Sequence, residues 1–189
     1  MVLALDISTA YVGWCLMDDS GSTLDAGAIE LKKIGDMFSK AEEFKRSISG
    51  ILSPHKISRV AIEENLQAFR PGFSSAKTIC TLSRFNGMVS YIVNELTQVT
   101  PEYINVNHAR KTVGLKIRKK DPVSTKDQVL AWVKQNEMPH YKWPDKTLKS
   151  GKRKGLVIPH ESCYDIADAF VIGKSCVING RRTSTEKKS

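Results

Sequence analysis

The stretch LALDISTAYVGW, residues 3–14, decides the fold. Its first half is an apolar run, Val2–Ile7, that reads as a buried strand, and the small residues Ser8, Thr9 and Ala10 then turn the chain into a second run, Tyr11–Asp18. A third run, Thr23–Glu30, follows the turn DSGS, so the chain opens as an antiparallel meander. Near the end of the first strand sits a carboxylate, Asp6. An unpaired carboxylate in a core costs several kcal/mol or takes up a proton, so a partner, a metal or a local turn contact must compensate it.

Working outward, the next segment reads as a helix over about 36–52, capped by Asp36 and stopped before Pro54, with Met37, Ala41, Phe44, Ile48 and Ile51 on one face. Residues 57–62 read as a short buried strand followed directly by Glu63. The longest helix is expected over 75–97. Ile79, Leu82, Phe85, Val89, Ile92, Val93 and Leu96 give it an apolar stripe, which Ala76, Cys80, Met88 and Tyr91 widen beyond one core-facing seam. Burial on two sides is the reading, and a subunit interface its expected cause.

A fifth strand is expected at 103–106, then a short helix in HARKTVG closed by Gly114. Thr125 and Gln128 give the pattern of a capping box for a helix reaching about Glu137. Residues 139–160, rich in Lys, Gly and Pro, show neither period and read as a basic loop. A last helix is expected over 161–177, and residues 179–189 as a disordered basic tail. The order of elements predicts one α/β domain, residues 1–178, around a mixed five-stranded sheet: three antiparallel strands extended by two parallel ones through crossover helices.

Composition narrows the class. The 189 residues are 41% hydrophobic and 26% charged, as in soluble globular domains. The four cysteines lie far apart with no CxxC spacing and read as reduced, mostly buried thiols. No apolar stretch nears the roughly 20 residues of a membrane span, and no signal peptide is read before Val2, so a cytosolic location is expected. The net charge is +9, and residues 108–155 hold 14 Lys and Arg against 4 Asp and Glu. The rest of the chain is therefore close to neutral, and the basic block reads either as a polyanion-binding face or as a solvated surface. His55, His108 and His140 lack metal-ligand spacing; His160 reads as a cap for the last helix.

Four acids stand where surface acids ordinarily do not. Asp6 and Glu63 close neighbouring strands, and Asp165 and Asp168, three apart, share one face of the last helix. Singly, each has an ordinary reading: Asp6 capping its turn, Glu63 paired with Arg59, the aspartates solvated. Together they form an oxygen-rich set suited to Mg²⁺ or Mn²⁺. Two such ions about 3.5–4 Å apart generate a hydroxide nucleophile and stabilise a leaving oxygen in phosphodiester hydrolysis.

At this point LALDISTAYVGW, VAIEEN and YDIADAFVIG, in that order and at similar separations, resemble the RuvC-type Holliday-junction resolvases of the RNase H-like superfamily, over Val2–Gly173. The resemblance implies that Asp6, Glu63, Asp165 and Asp168 are catalytic carboxylates holding two Mg²⁺ ions. It also implies a homodimer packed through the helix at 75–97 and symmetrical nicking of a four-way DNA junction. ARKTVG and STKDQV resemble the family's basic segments and put Lys111 and Lys126 near the scissile phosphate or the DNA backbone, with Arg110 beside them. The family often carries an aromatic wedge shortly after its glutamate. Here that neighbourhood holds Leu66, then Phe69, Arg70 and Phe73, read as base and phosphate contacts or as loop residues folded onto the core. Lys152, Arg153 and Lys154 in the basic loop are further DNA-binding candidates. Longer chains of this type occur in phages, so the expected location is the cytoplasm of a bacterial or phage-infected cell. Two other readings stay open: an RNase H-like nuclease acting on flaps or RNA–DNA hybrids, and a non-catalytic junction-binding recombination protein.

Overall fold

A computed structural model of the chain describes residues 1–64 and 75–186. Strands β1 (Val2–Ile7), β2 (Tyr11–Met17) and β3 (Thr23–Glu30) form the meander, followed by helix α1 (Met37–Leu52), strand β4 (Arg59–Glu63), helix α2 (Ala76–Thr97) and strand β5 (Glu102–Ile104). The sheet order is β3-β2-β1-β4-β5. β1 pairs antiparallel with β2 and parallel with β4, and β4 pairs parallel with β5, as the sequence predicts. Helices α3 (Val106–Thr112), α4 (Thr125–Asn136) and α5 (Ser162–Glu186) complete the main domain. None of the helices among the described residues is long and apolar enough to cross a membrane.

The two faces of the sheet bury different side chains, and that difference positions the acids. One face carries Leu3, Leu5, Val12, Leu16 and Ile62 and packs on Phe44 and Ile48 of α1 and Phe85, Val89 and Val93 of α2. The other carries small residues, Ala4, Cys15, Ala26 and Ala61, and packs on Ile166, Phe170 and Val177 of α5. Side chains alternate along a strand, so Asp6 shares the small-residue face with Ala4, and Glu63 shares it with Ala61. The register joins Leu5 to Ile62, so Asp6 and Glu63 follow as the next positions on adjacent parallel strands.

Small residues let α5 lie close. Asp6 pairs with Gly13 of β2, and a Cβ at Gly13 would stand 2.1 Å from the backbone oxygen of Asp165 and 2.3 Å from its carbonyl carbon. A Cβ at Gly173 would likewise meet Ala4 Cβ at 2.9 Å. Any side chain at Gly13 would lift the start of α5 away from Asp6.

Several local expectations change. β5 ends at Ile104 because the Asn105 side chain caps α3, accepting from the Asn107 and His108 amides at 3.1 and 3.3 Å. The cap of α4 is Ser124 rather than Thr125: its hydroxyl accepts from the Asp127 amide at 3.2 Å. Gln128, expected in a capping box, instead accepts from the Arg118 amide at 2.9 Å and donates to the Arg118 and Val123 carbonyls at 3.1 and 2.8 Å, stitching the preceding loop. Within 139–160, read as a loop without strand period, two short strands pair antiparallel: β6 (Asp145–Thr147) and β7 (Val157–Pro159). A ladder of three pairs is too short to imprint an alternation on a Lys- and Gly-rich segment.

The last helix runs past Val177 to Glu186, so residues 179–186, assigned above to the tail, continue α5. Arg59 anchors this end of the helix, donating to the Cys176 carbonyl at 2.9 Å while pairing through both Nε and Nη2 with Glu102 at 3.0 Å. Gly180 leaves the guanidinium room, since a Cβ there would lie 2.0 Å from Arg59 Nη1.

Tyr141 donates to the Ala26 carbonyl at 3.0 Å and stacks edge-on with Trp143, so both anchor their segment to the core. His160 Nδ1 lies 2.8 Å from Ser162 Oγ at the start of α5, in the capping position expected of it.

Candidate active site

Asp6, Glu63, Asp165 and Asp168 converge where the ends of β1 and β4 meet the first turns of α5. Burial, then the Glu63, Asp168 and Asp165 carboxylates, raise the pKa of Asp6 well above the usual range, and a side-chain hydrogen bond with Glu63 adds to the rise. Burial also raises Glu63, against the opposing charges of Arg110 and Lys126. Burial pushes Asp165 up to about 6, with Lys126 again opposing and Asp168 and Glu63 adding to the rise. A surface acid would feel none of this. These three acids resist carrying negative charge because they are partly buried and their neighbours are negative too.

Asp168 finds its own partner. Arg110 of α3 donates to Asp168 Oδ1 at 3.0 Å, and both side chains are nearly buried, at 15% and 8% exposure. Arg110 is therefore not the outward phosphate contact expected from its basic segment; it turns in because α3 packs on α5 and brings it over the second aspartate. Its Nε is buried with no hydrogen-bond partner.

The basic side chain whose charge reaches Glu63 and Asp165 is also Lys126, on the first turn of α4. A tether fixes that turn: Tyr164, beside Asp165, donates its hydroxyl to Asp127 Oδ1 at 2.8 Å, and Ser124 donates to Asp127 Oδ2 at 2.6 Å. Lys111 is exposed on α3. Lys152, Arg153 and Lys154 are exposed at the far end of the β6–β7 hairpin. Phe69 and Arg70, with Leu66 and Phe73, lie outside the described residues.

Sequence reasoning named the four acids as candidates but missed Gly13, the inward turn of Arg110 and the Tyr164–Asp127 tether. The only available signal was for the tether, an acid three residues after a Ser cap at the head of a helix.

The donor set can be weighed as a site for a metal. Among the described residues, no three His, Cys, Asp or Glu side chains stand together as a ready-made metal-binding group. The chemistry of the four acids nevertheless fits a hard divalent cation: all donors are carboxylate oxygens, and Arg110 already pairs with one of them, as a cation would.

No protein-family model matches the chain. It is 27% identical over 138 residues to the crossover junction endodeoxyribonuclease RuvC of Aliarcobacter butzleri (strain RM4018), covering 71% of this chain and 81% of that one. Its fold superposes on T. thermophilus RuvC in complex with a Holliday junction substrate with a TM-score of 0.64 at 14% identity, over 96% of this chain and 94% of that one. It also superposes on the yeast mitochondrial Holliday junction resolvase Ydc2 with a TM-score of 0.52 at 13% identity, over 100% of this chain and 84% of the other. In sequence over most of its length and in fold over nearly all of it, the chain resembles the RuvC-type Holliday-junction resolvases.

Proposed function

We propose that the chain is a divalent-metal-dependent DNA endonuclease that resolves four-way junctions by paired symmetrical nicks. The observation that carries this reading is the placement of Asp6 and Glu63 at adjacent strand ends with Asp165 and Asp168 on the helix turns laid against them, close enough for their charges to act on one another. The sequence likeness to a crossover junction endodeoxyribonuclease supports the substrate class.

Asp6, Glu63, Asp165 and Asp168 would hold two Mg²⁺ ions, with Mn²⁺ as substitute, and bound ions would supply an activated water and neutralise the leaving oxygen. The chain's own groups prepare the site. Gly13 seats Asp165 against the strand ends. Arg110 holds Asp168 in place until a cation competes for it. Lys126 faces Glu63 and Asp165 and offers its ammonium to the scissile phosphate, while exposed Lys111 reaches backbone nearby.

Paired nicks need two such sites. Helix α2 turns Phe85, Val89 and Val93 into the core but leaves Tyr91 69% and Leu96 37% exposed, with Tyr103 of β5 beside it donating to Ser90 Oγ at 2.9 Å. This half-uncovered face supports a homodimer through residues 75–97.

The decisive assay is cleavage of a synthetic immobile four-way junction with and without Mg²⁺, mapped to the nucleotide, for the wild type and Asp6→Asn. Symmetrical cuts by the wild type, with Asp6→Asn binding but not cutting, are expected; cutting at the wild-type rate by Asp6→Asn would reject the site. The Arg110–Asp168 pair favours one competing reading, a junction-binding protein without catalysis. Calorimetry separates the two, since that reading requires that neither Mg²⁺ nor Mn²⁺ bind.

A further inference from the structure

The β6–β7 hairpin is a two-stranded sheet of its own. From Lys146 to Val157 it carries Lys146, Lys149, Lys152, Arg153 and Lys154 and no acid, and every residue from Lys149 to Val157 is exposed. Charges of one sign crowded on so short a ribbon repel one another, so those beyond Lys146 add nothing to the fold unless an anion meets them.

The ribbon nonetheless has a defined shape. Leu148 and Leu156 continue the ladder, the Leu148 amide donating to the Leu156 carbonyl at 3.0 Å and the Gly155 amide to the Leu148 carbonyl at 2.9 Å. Gly151 and Gly155, at φ 77° and 88°, allow the reversal. Its base is tied to the active-site helix: Glu161, the residue before α5, accepts from Lys146 at 2.7 Å and from Lys32 at 2.9 Å. The His160 amide closes on the Pro144 carbonyl at 3.0 Å. The direction of the ribbon is thus fixed to the helix turn that carries Asp165.

We infer that this ribbon is a duplex-arm contact, its tip residues Lys149, Lys152, Arg153 and Lys154 neutralising backbone phosphates of double-stranded DNA outward from the crossover. The inference rests on the nuclease reading above and extends it to the arms of the substrate. A two-stranded ribbon is narrow enough to enter the major groove, and lysine ammonium groups on long stems suit phosphates without reading sequence. Lys146, held by Glu161, serves as a positioning residue.

The test replaces all four tip residues with glutamine and measures binding of an immobile four-way junction across a salt series in chelator, with hydroxyl-radical footprints of the same complexes. A companion variant, Lys149→Arg, Lys152→Arg and Lys154→Arg, keeps the charge and controls for folding. At about 0.9 per phosphate contact, the glutamine variant is expected to lower the logarithmic salt slope by about 3 to 4 and to lose protection on the arms while keeping it at the crossover. The arginine variant is expected to match the wild type. An unchanged slope, or a lowered slope with an unchanged arm footprint, in a chain that still cuts the junction overturns the inference and leaves the nuclease reading standing. A wild-type chain that neither binds nor cuts four-way junctions overturns both.

Discussion

Replacing Gly13 with alanine would insert one methyl group where β2 meets α5. The added Cβ would stand 2.1 Å from the Asp165 oxygen, 2.3 Å from its carbonyl carbon and 2.8 Å from the Ile166 amide nitrogen. All three are backbone atoms, so no rotamer change relieves the clash and the first turn of α5 must lift. Overpacking of this kind costs about 1–3 kcal/mol, and a backbone obstacle puts Gly13→Ala at the upper end. For a chain of this length about 3 kcal/mol corresponds to a fall in melting temperature of roughly 6–12 °C. Gly50→Ala in α1 is the control: its new Cβ meets nothing within 4 Å, and alanine there should stabilise by about 0.5–1 kcal/mol. Calorimetric melting of both variants, with junction cleavage by the same preparations, reads the stability and the site together. Gly13→Ala should lose cleavage at temperatures where it is still folded, because Asp165 moves from Asp6 and Glu63. A Gly13→Ala protein that melts with the wild type and cuts normally would refute the close seating of α5 as the source of the site.

Other outcomes follow from the same geometry. Asp165 has a raised folded pKa, about 6 against an ordinary 3.8, so its contribution to stability is full below pH 3.8 and lost as pH rises through about 6; without divalent ions, Asp165→Asn should remove about 2 kcal/mol of that loss between pH 4.5 and pH 7, read by denaturant melts at the two pH values. Added Mg²⁺ should raise the wild-type melting temperature at pH 7 more than that of Asp165→Asn, and equal shifts would count against Asp165 as a ligand. Arg110→Ala strands the nearly buried Asp168 carboxylate and should cost about 3 kcal/mol in chelator, a loss that Mg²⁺ partly restores. Gln128→Ala frees three hydrogen bonds in the 118–123 loop and should weaken junction binding several-fold while leaving the salt slope unchanged, because no charge is removed.

The strand meander, the sheet order and the faces of Asp6 and Glu63 were legible because a strand alternates strictly: once Leu3 and Leu5 face α1 and α2, Asp6 must face the other way. Asp165 and Asp168 were legible because residues three apart share a helix face. What escaped depends on contacts between distant segments. A glycine inside a strand does not announce which helix will lie on it, so Gly13 was silent. Arg110 reads as one more cation in a basic segment until α3 packs on α5 and turns it toward Asp168. Gln128 fits a capping pattern as well as it fits the loop it stitches, and only the observed partners separate the two. The end of α5 was placed too early because residues 179–189 are polar and basic and read as a tail, whereas Arg59 holds this end of the helix through the Cys176 carbonyl and passes close to Gly180.

The proposed nuclease requires that four acids from β1, β4 and α5 form one pocket neutralised by divalent cations. Anomalous scattering from crystals grown with Mn²⁺ tests it most directly. The expected result is metal peaks within direct coordination distance of carboxylate oxygens of Asp6, Glu63 and at least one of Asp165 and Asp168, with Asp168 released from Arg110. Crystals of a chain that cuts four-way junctions in Mn²⁺ but whose acids carry no metal, with the Arg110–Asp168 pair intact, would contradict it.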